Sequence, residues 1–204
     1  FIINALTKGF WNKQKQNLFL ASDKKLILLV EGKHDLTHIE NAFKHYKSDF
    51  PNLDFDIFSL KGERNIAPML IGLRDADLNS DKVYIGIYDN DKAGQVSLNK
   101  GGYKSVKDTS YRRLLDNGYE HNNYFALMLP KPEGFSGDCT IENMYDGNKF
   151  EEAFTSAVTQ TQGYFQNKSI EEVTEDIKLK AKNLLAQQST KFTRSVRRSY
   201  LGKL

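Results

Sequence analysis

Two short apolar runs, each stopped by an acidic residue, constrain this chain more than anything else in its sequence. Leu26-Ile27-Leu28-Leu29-Val30 is unbroken by any polar residue and ends at Glu31-Gly32. A run this short reads as a strand buried on both faces, the mark of a parallel sheet. Val83-Tyr84-Ile85-Gly86-Ile87-Tyr88 repeats the pattern and stops at Asp89. Phe55, Ile57, Phe58 and Leu60 predict another strand, and Tyr124 to Leu129 a fourth that ends at Pro130. Leu36, Ile39, Phe43 and Tyr46 stand at helical spacing, and residues 66–73 and 106–116 are also expected to be helical. This alternation predicts an α/β fold: an open, mostly parallel sheet flanked by helices, Rossmann-like in class.

The texture changes after Pro130, where Pro132, Gly134 and Gly137 mark a loop. Residues 148–157 and 169–188 then carry helical patterns. The last stretch holds Lys191, Arg194, Arg197, Arg198 and Lys203 with no acidic residue. The expected organisation is a helical lead-in over residues 1–22, an α/β domain over 23–147, and a helical C-terminal extension with a basic tail over 148–204. The chain opens on Phe1 rather than Met, so a piece of a longer protein is expected. No apolar run approaches the roughly 20 residues that cross a bilayer, and no signal peptide is read. A single cysteine, Cys139, excludes an internal disulfide framework and fits a reducing cytoplasm. The net charge of +3 is only mildly basic, so the location of charge matters more than its sum.

In open α/β sheets, ligands bind outside the carboxyl ends of the strands. Two predicted strands end in acid there, in Glu31-Gly32-Lys33-His34-Asp35 and in Asp89-Asn90-Asp91-Lys92-Ala93-Gly94. If those strands are neighbours, Glu31, Asp35, Asp89 and Asp91 converge. Like charges packed together repel unless a cation neutralises them, and hard oxygen donors suit Mg²⁺ or Mn²⁺. Simpler readings stand beside this one. Asp35 is equally placed to cap the following helix, and Asp89-Asn90-Asp91 resembles an ordinary solvated turn. Glu31 is harder to dismiss, because a carboxylate directly after five apolar residues lies near the core.

An apolar strand followed by Glu-Gly-x-x-Asp, then a second apolar strand followed by Asp-x-Asp-x-x-Gly, resembles the TOPRIM domain. The resemblance covers roughly residues 24 to 145, and the acid at position 35 is similar to the versions in the rRNA maturation nuclease and in the OLD-family (overcoming lysogenisation defect) nucleases, the latter being the nearer likeness. It implies that Glu31 is the catalytic glutamate and that Asp89 and Asp91 bind metal. It also implies a further acidic ligand, for which Glu142 in Ile141-Glu142-Asn143 is the candidate, and a late catalytic lysine. Lys191, immediately before Phe192, is similar to that lysine but stands closer to the phenylalanine than the family pattern has it. The implied activity is phosphodiester cleavage of nucleic acid with two Mg²⁺ (or Mn²⁺) ions. Such an acidic site repels a polyanion, so Lys33, Lys61, Arg64, Lys92, Arg194, Arg197 and Arg198 are the expected backbone-binding cations. The expected partners are nucleic acid, DNA ahead of RNA, and a second copy of the chain. No Walker A loop is present, since Gly101-Gly102-Tyr103-Lys104-Ser105 lacks the required triplet. An ABC-type ATPase, implied by the resemblance, would therefore act from elsewhere, in cis or in trans, in an anti-phage defence system.

Two rivals are weighed against this. A haloacid-dehalogenase-type phosphatase also has Asp-x-Asp after a strand, but Lys92-Ala93 follows here instead of the usual Thr or Val. A non-cleaving TOPRIM module for nucleic-acid binding or assembly is the other. The four histidines make no zinc pattern, and Cys139 has no histidine partner in a recognisable context.

Overall fold

The computed structural model describes residues 21–75, 81–106, 111–116, 119–145, 149–161 and 170–187. The chain divides into two compact units. The first takes residues 1–31, 52–88 and 93–128, and the second takes 32–51, 89–92 and 129–204.

The first unit holds a six-stranded sheet of order β2-β1-β3-β6-β5-β4. Its strands are β1 (Leu26–Val30), β2 (Phe55–Ser59), β3 (Val83–Tyr88), β4 (Tyr103–Ser105), β5 (Tyr111–Asp116) and β6 (Tyr119–Met128). β1 runs parallel to both β2 and β3, with Leu29 opposite Phe58 on one side and Gly86 on the other. β3 is parallel to β6, while β5 and β4 continue the sheet antiparallel. The fold is therefore α/β with an open, mixed but mostly parallel sheet, as the alternating pattern predicts.

One segment departs from expectation. The sequence pattern predicts a helix over residues 106–116, yet Tyr111–Asp116 is strand β5, paired to β4 and β6. Arg and Leu are good helix formers, but propensities differ by only tenths of a kcal/mol per residue, and pairing to two neighbouring strands overrides them. Leu114 turns into the core beside Ala126 and Tyr124, which is the period-2 placement of a strand.

The larger core cluster lies on one sheet face, while Leu28 and Val30 of β1 are buried on the opposite one. Ile27 and Leu29 lie level with Tyr84 and Gly86, and helix α2 (Ile66–Asp75) covers them with Ile66, Met69, Leu70 and Leu73, an i, i+3, i+4, i+7 stripe. Gly86 permits this close approach. A Cβ there would stand 2.3 Å from Ile66 Cγ2 and 3.2 Å from Leu70 Cδ1. Tyr84 stacks on Tyr124 at 5.4 Å between centroids, and the Tyr88 and Tyr103 hydroxyls meet at 3.1 Å. Burial pushes the Tyr88 phenol up to about 12. Helix α3 (Lys92–Lys100) adds Leu98 to this core.

In the second unit, α1 (Lys33–Tyr46), a single 3-10 turn (Ile141–Met144), α4 (Lys149–Thr161) and α5 (Ile170–Gln187) pack together. Small side chains make the contact between α4 and α5 close. Ala157 packs with Ile177 and Ala181, and Ala153 with Leu185 and Tyr145. No described helix is long and apolar enough to cross a membrane.

Candidate metal centre

The sheet places its acids through backbone registry. β1 and β3 are parallel neighbours, and each runs directly into an acidic residue, Glu31 after Val30 and Asp89 after Tyr88. The loop after β2 is fastened to the first of these strand ends. Leu60 N–H donates to Val30 O and Gly62 N–H donates to Glu31 O, both at 2.9 Å. The Asn65 amide donates to Leu60 O and Lys61 O, which holds the loop shape. Lys61 adopts φ +60, a left-handed conformation uncommon outside glycine. A cation expected to bind nucleic-acid backbone is thus displayed on a constrained, exposed loop joined to the Glu31 backbone. Arg64 is 90% exposed and leans on its neighbour Glu63 at 3.4 Å.

The other acids lie in the second unit. Asp35 sits in the first turn of α1, and its Oδ2 accepts the Gly32 N–H at 2.7 Å. Gly32 is the N-cap residue, so Asp35, at the third helical position, is not the cap itself; its carboxylate reaches back to the cap backbone, as in a capping box, and satisfies a donor that the helix leaves open. Burial holds the Asp35 carboxyl above its usual range, although the Gly32 bond opposes the shift. Lys33 and Lys92 are exposed at the first positions of α1 and α3.

Asn90 anchors the Asp89-Asn90-Asp91 turn. Its backbone exchanges two hydrogen bonds with Cys139, at 2.8 and 3.0 Å, and its side-chain amide donates to Leu129 O at 3.0 Å. Cys139 is buried and its thiol is pushed up to about 11, by burial first and by the charge of Asp89 second. A protonated, buried thiol is not a nucleophile. Its part is to hold the acidic turn through its backbone.

Glu142 is the most enclosed of the acids, 6% exposed on the 3-10 turn. Thr140 Oγ1 donates to its Oε2 at 2.5 Å, and Lys182 Nζ on α5 donates to its Oε1 at 2.9 Å. Burial alone would raise the Glu142 carboxyl, but the Thr140 hydroxyl and the Lys182 ammonium outweigh it and hold the group below its usual range. Lys182 responds in kind. Burial works against its charge, yet Glu142 first, then Asp35 and Asp89, keep the ammonium above its ordinary value. Asp35, Asp89 and Glu142 therefore share the field of one lysine.

Behind them, His38 is completely buried on α1, with Nδ1 2.6 Å from the Tyr145 hydroxyl. Its Nε2 has no hydrogen-bond partner among the described residues.

Lys182, Thr140, Asn90 and the His38–Tyr145 pair are functional candidates that reasoning from the sequence misses. Among them, Thr140, two residues before Glu142, carries a local signal. The predicted cations Lys191, Arg194, Arg197 and Arg198 lie outside the described residues.

The donor set is one of hard oxygens, which fits Mg²⁺ or Mn²⁺. Among the described residues no three His, Cys, Asp or Glu side chains converge as a preformed cage. The chain matches no known protein-family profile, and no curated protein resembles it at a significant level.

Proposed function

We propose that this chain is a Mg²⁺-dependent endonuclease of TOPRIM type, most similar to the OLD-family nucleases. The observation that carries the reading is the pair of adjacent parallel strands β1 and β3, each delivering an acid at its carboxyl end. In support, Asp35, Asp89 and Glu142 lie within the electrostatic reach of one lysine. Glu31, Asp35, Asp89, Asp91 and Glu142 would hold the metal, in a two-ion arrangement. A divalent ion at such a site supplies Lewis acidity and activated water for in-line displacement at phosphorus. Lys182 is the described cation best placed to stabilise charge on the scissile phosphate, with Lys191 the candidate from the tail. Lys33, Lys61, Arg64 and Lys92 would hold the nucleic-acid backbone, joined by Arg194, Arg197 and Arg198. An ABC-type ATPase in cis or in trans, a second copy of the chain, and a role in anti-phage defence in the cytoplasm follow from the same reading.

The decisive assay incubates the protein with plasmid, single-stranded DNA and total RNA, with Mg²⁺, with Mn²⁺ and with chelator. Cleavage should require the metal and vanish in Glu31→Ala and Asp89→Ala variants that stay folded. Full nicking by a folded Glu31→Ala protein would remove the proposal.

One specific observation favours a second reading, a non-cleaving nucleic-acid-binding module. Both Glu142 oxygens and one Asp35 oxygen are already engaged by the protein itself. Nucleic-acid binding without cleavage under every metal condition would select it.

A further inference from the structure

We propose that the β4–β5–β6 end of the sheet carries a stacking platform for single-stranded nucleic acid, built from Tyr111, Phe125, Arg113 and Lys104. The inference rests on the nucleic-acid part of the reading above and involves no metal.

Alternation along the strands sorts the side chains. Tyr103 and Leu114 pair across β4 and β5 and turn to the larger core, so their chain neighbours Lys104 and Arg113 face the other way. Those two are themselves cross-strand partners, and Arg113 in turn stands opposite Phe125 of β6. Lys104, Arg113 and Phe125 thus form one row across three strands. The next row sets Tyr111 opposite Leu127. Neither row holds a carboxylate.

The side-chain contacts agree with this placement. The Arg113 guanidinium lies over the Phe125 ring, 5.6 Å from its centroid, and Tyr111 meets the same ring at a right angle with 5.5 Å between centroids. Tyr111 is 37% exposed, the one aromatic among the large apolar side chains exposed in the described residues. Lys104 is exposed beside this group. Arg112 belongs elsewhere: it turns to the other face and donates to Asn99 on α3.

These are the parts of a single-strand site. Unstacked bases offer π-faces to an exposed ring, and neighbouring cations track the phosphates. Two cations directly opposite each other hold a phosphate more strongly than either does alone. A duplex keeps its bases stacked inside, so it gains from the cations and not from Tyr111. The Tyr111 row continues through Leu127 to Ile87, near the carboxyl end of β3, and ligands of open α/β sheets bind at that edge.

The test is fluorescence anisotropy in chelator, with a labelled oligothymidylate, an oligouridylate and a DNA duplex of the same length. Wild type should bind a single strand more tightly than the duplex, and the stronger of the two single strands names the sugar. Tyr111→Ala should weaken single-strand binding about tenfold and leave duplex binding nearly unchanged, while Tyr111→Phe, which keeps the ring, retains it. Lys104→Gln should lower the salt slope of single-strand binding by about 0.7, and this exposed substitution keeps the test open if Tyr111→Ala does not fold. Tyr111→Ala that binds as wild type does, or that loses duplex and single strand equally, overturns the platform. So does an unchanged salt slope in Lys104→Gln, or a wild type that binds no single strand at micromolar concentration. Because chelator is present throughout, a failure to cleave leaves the platform standing, and loss of the platform leaves the cleavage reading to its own assay.

Discussion

Acidifying this protein should weaken it through one buried imidazole. His38 is completely enclosed, and burial holds its ring down to about 4, against 6.5 for a free histidine. Glu142 opposes that shift, and the charges of His34 and Lys182 add to it. Because the folded value lies below the unfolded one, the unfolded chain binds more protons throughout the window between them. The contribution is fully present above pH 6.5 and is lost progressively down to about pH 4. That interval corresponds to about 3 kcal/mol. The assay is urea unfolding at a series of pH values across the window, for wild type and for His38→Gln. The variant is expected to be less stable at neutral pH, having lost packing and the Tyr145 contact, but flatter by about 3 kcal/mol between the two ends. Comparing slopes cancels every other titrating group common to both proteins. Parallel curves would refute the reasoning, because they would mean that His38 is protonated in the folded state or reached by water.

Three further outcomes are expected. Gly86→Ala should lose about 1–3 kcal/mol, because its new Cβ would overlap Ile66 Cγ2, and Ile66→Ala in the same chain should return part of the loss in thermal melts. Asp35→Ala should cost about 1 kcal/mol by leaving the Gly32 N–H without its acceptor. Asp35→Asn should restore much of that stability yet not the metal-dependent cleavage, an outcome that separates capping from ligation. In a double-mutant cycle, Lys182→Met and Glu142→Gln should each destabilise by roughly 1–4 kcal/mol, while the pair together costs less than the sum, because only the single variants strand a charge. Strict additivity in urea unfolding would show that the two groups do not interact.

Part of this architecture is legible in the sequence, and part is not. β1 and β3 announce themselves because an apolar run of strand length, cut off by an acid, has few other ways to fold. Their adjacency is a matter of topology, which parallel-sheet habits narrow but a single sequence does not state. α3 is hard to see because Lys92–Lys100 offers Leu98 and Val96 as its only large apolar residues and has a glycine in its first turn. β5 reads as helix because its identity comes from the strands on either side of it, β4 and β6, and not from its own composition. Lys182 is hidden for a different reason. In the sequence it looks like Lys178 and Lys180, residues of an ordinary charged helix, and only long-range packing puts it on Glu142. The tie of Asp35 to the helix start is local and so partly legible: the carboxylate meets the Gly32 N–H, but from inside the first turn, because the helix opens at Lys33 and Gly32 is its cap residue.

The chain passes between its two units after residues 31, 51, 88, 92 and 128, so neither unit is a contiguous stretch of sequence. During synthesis, every strand of the sheet has been made by residue 128, whereas the surroundings of Asp35 and Asp89 stay incomplete until α5 emerges at residues 170–187. A nascent chain therefore carries its acidic turns for a time without the lysine that balances them. A chain built in this order finishes its sheet early and completes the surroundings of its acidic turns only when the α5 segment is translated.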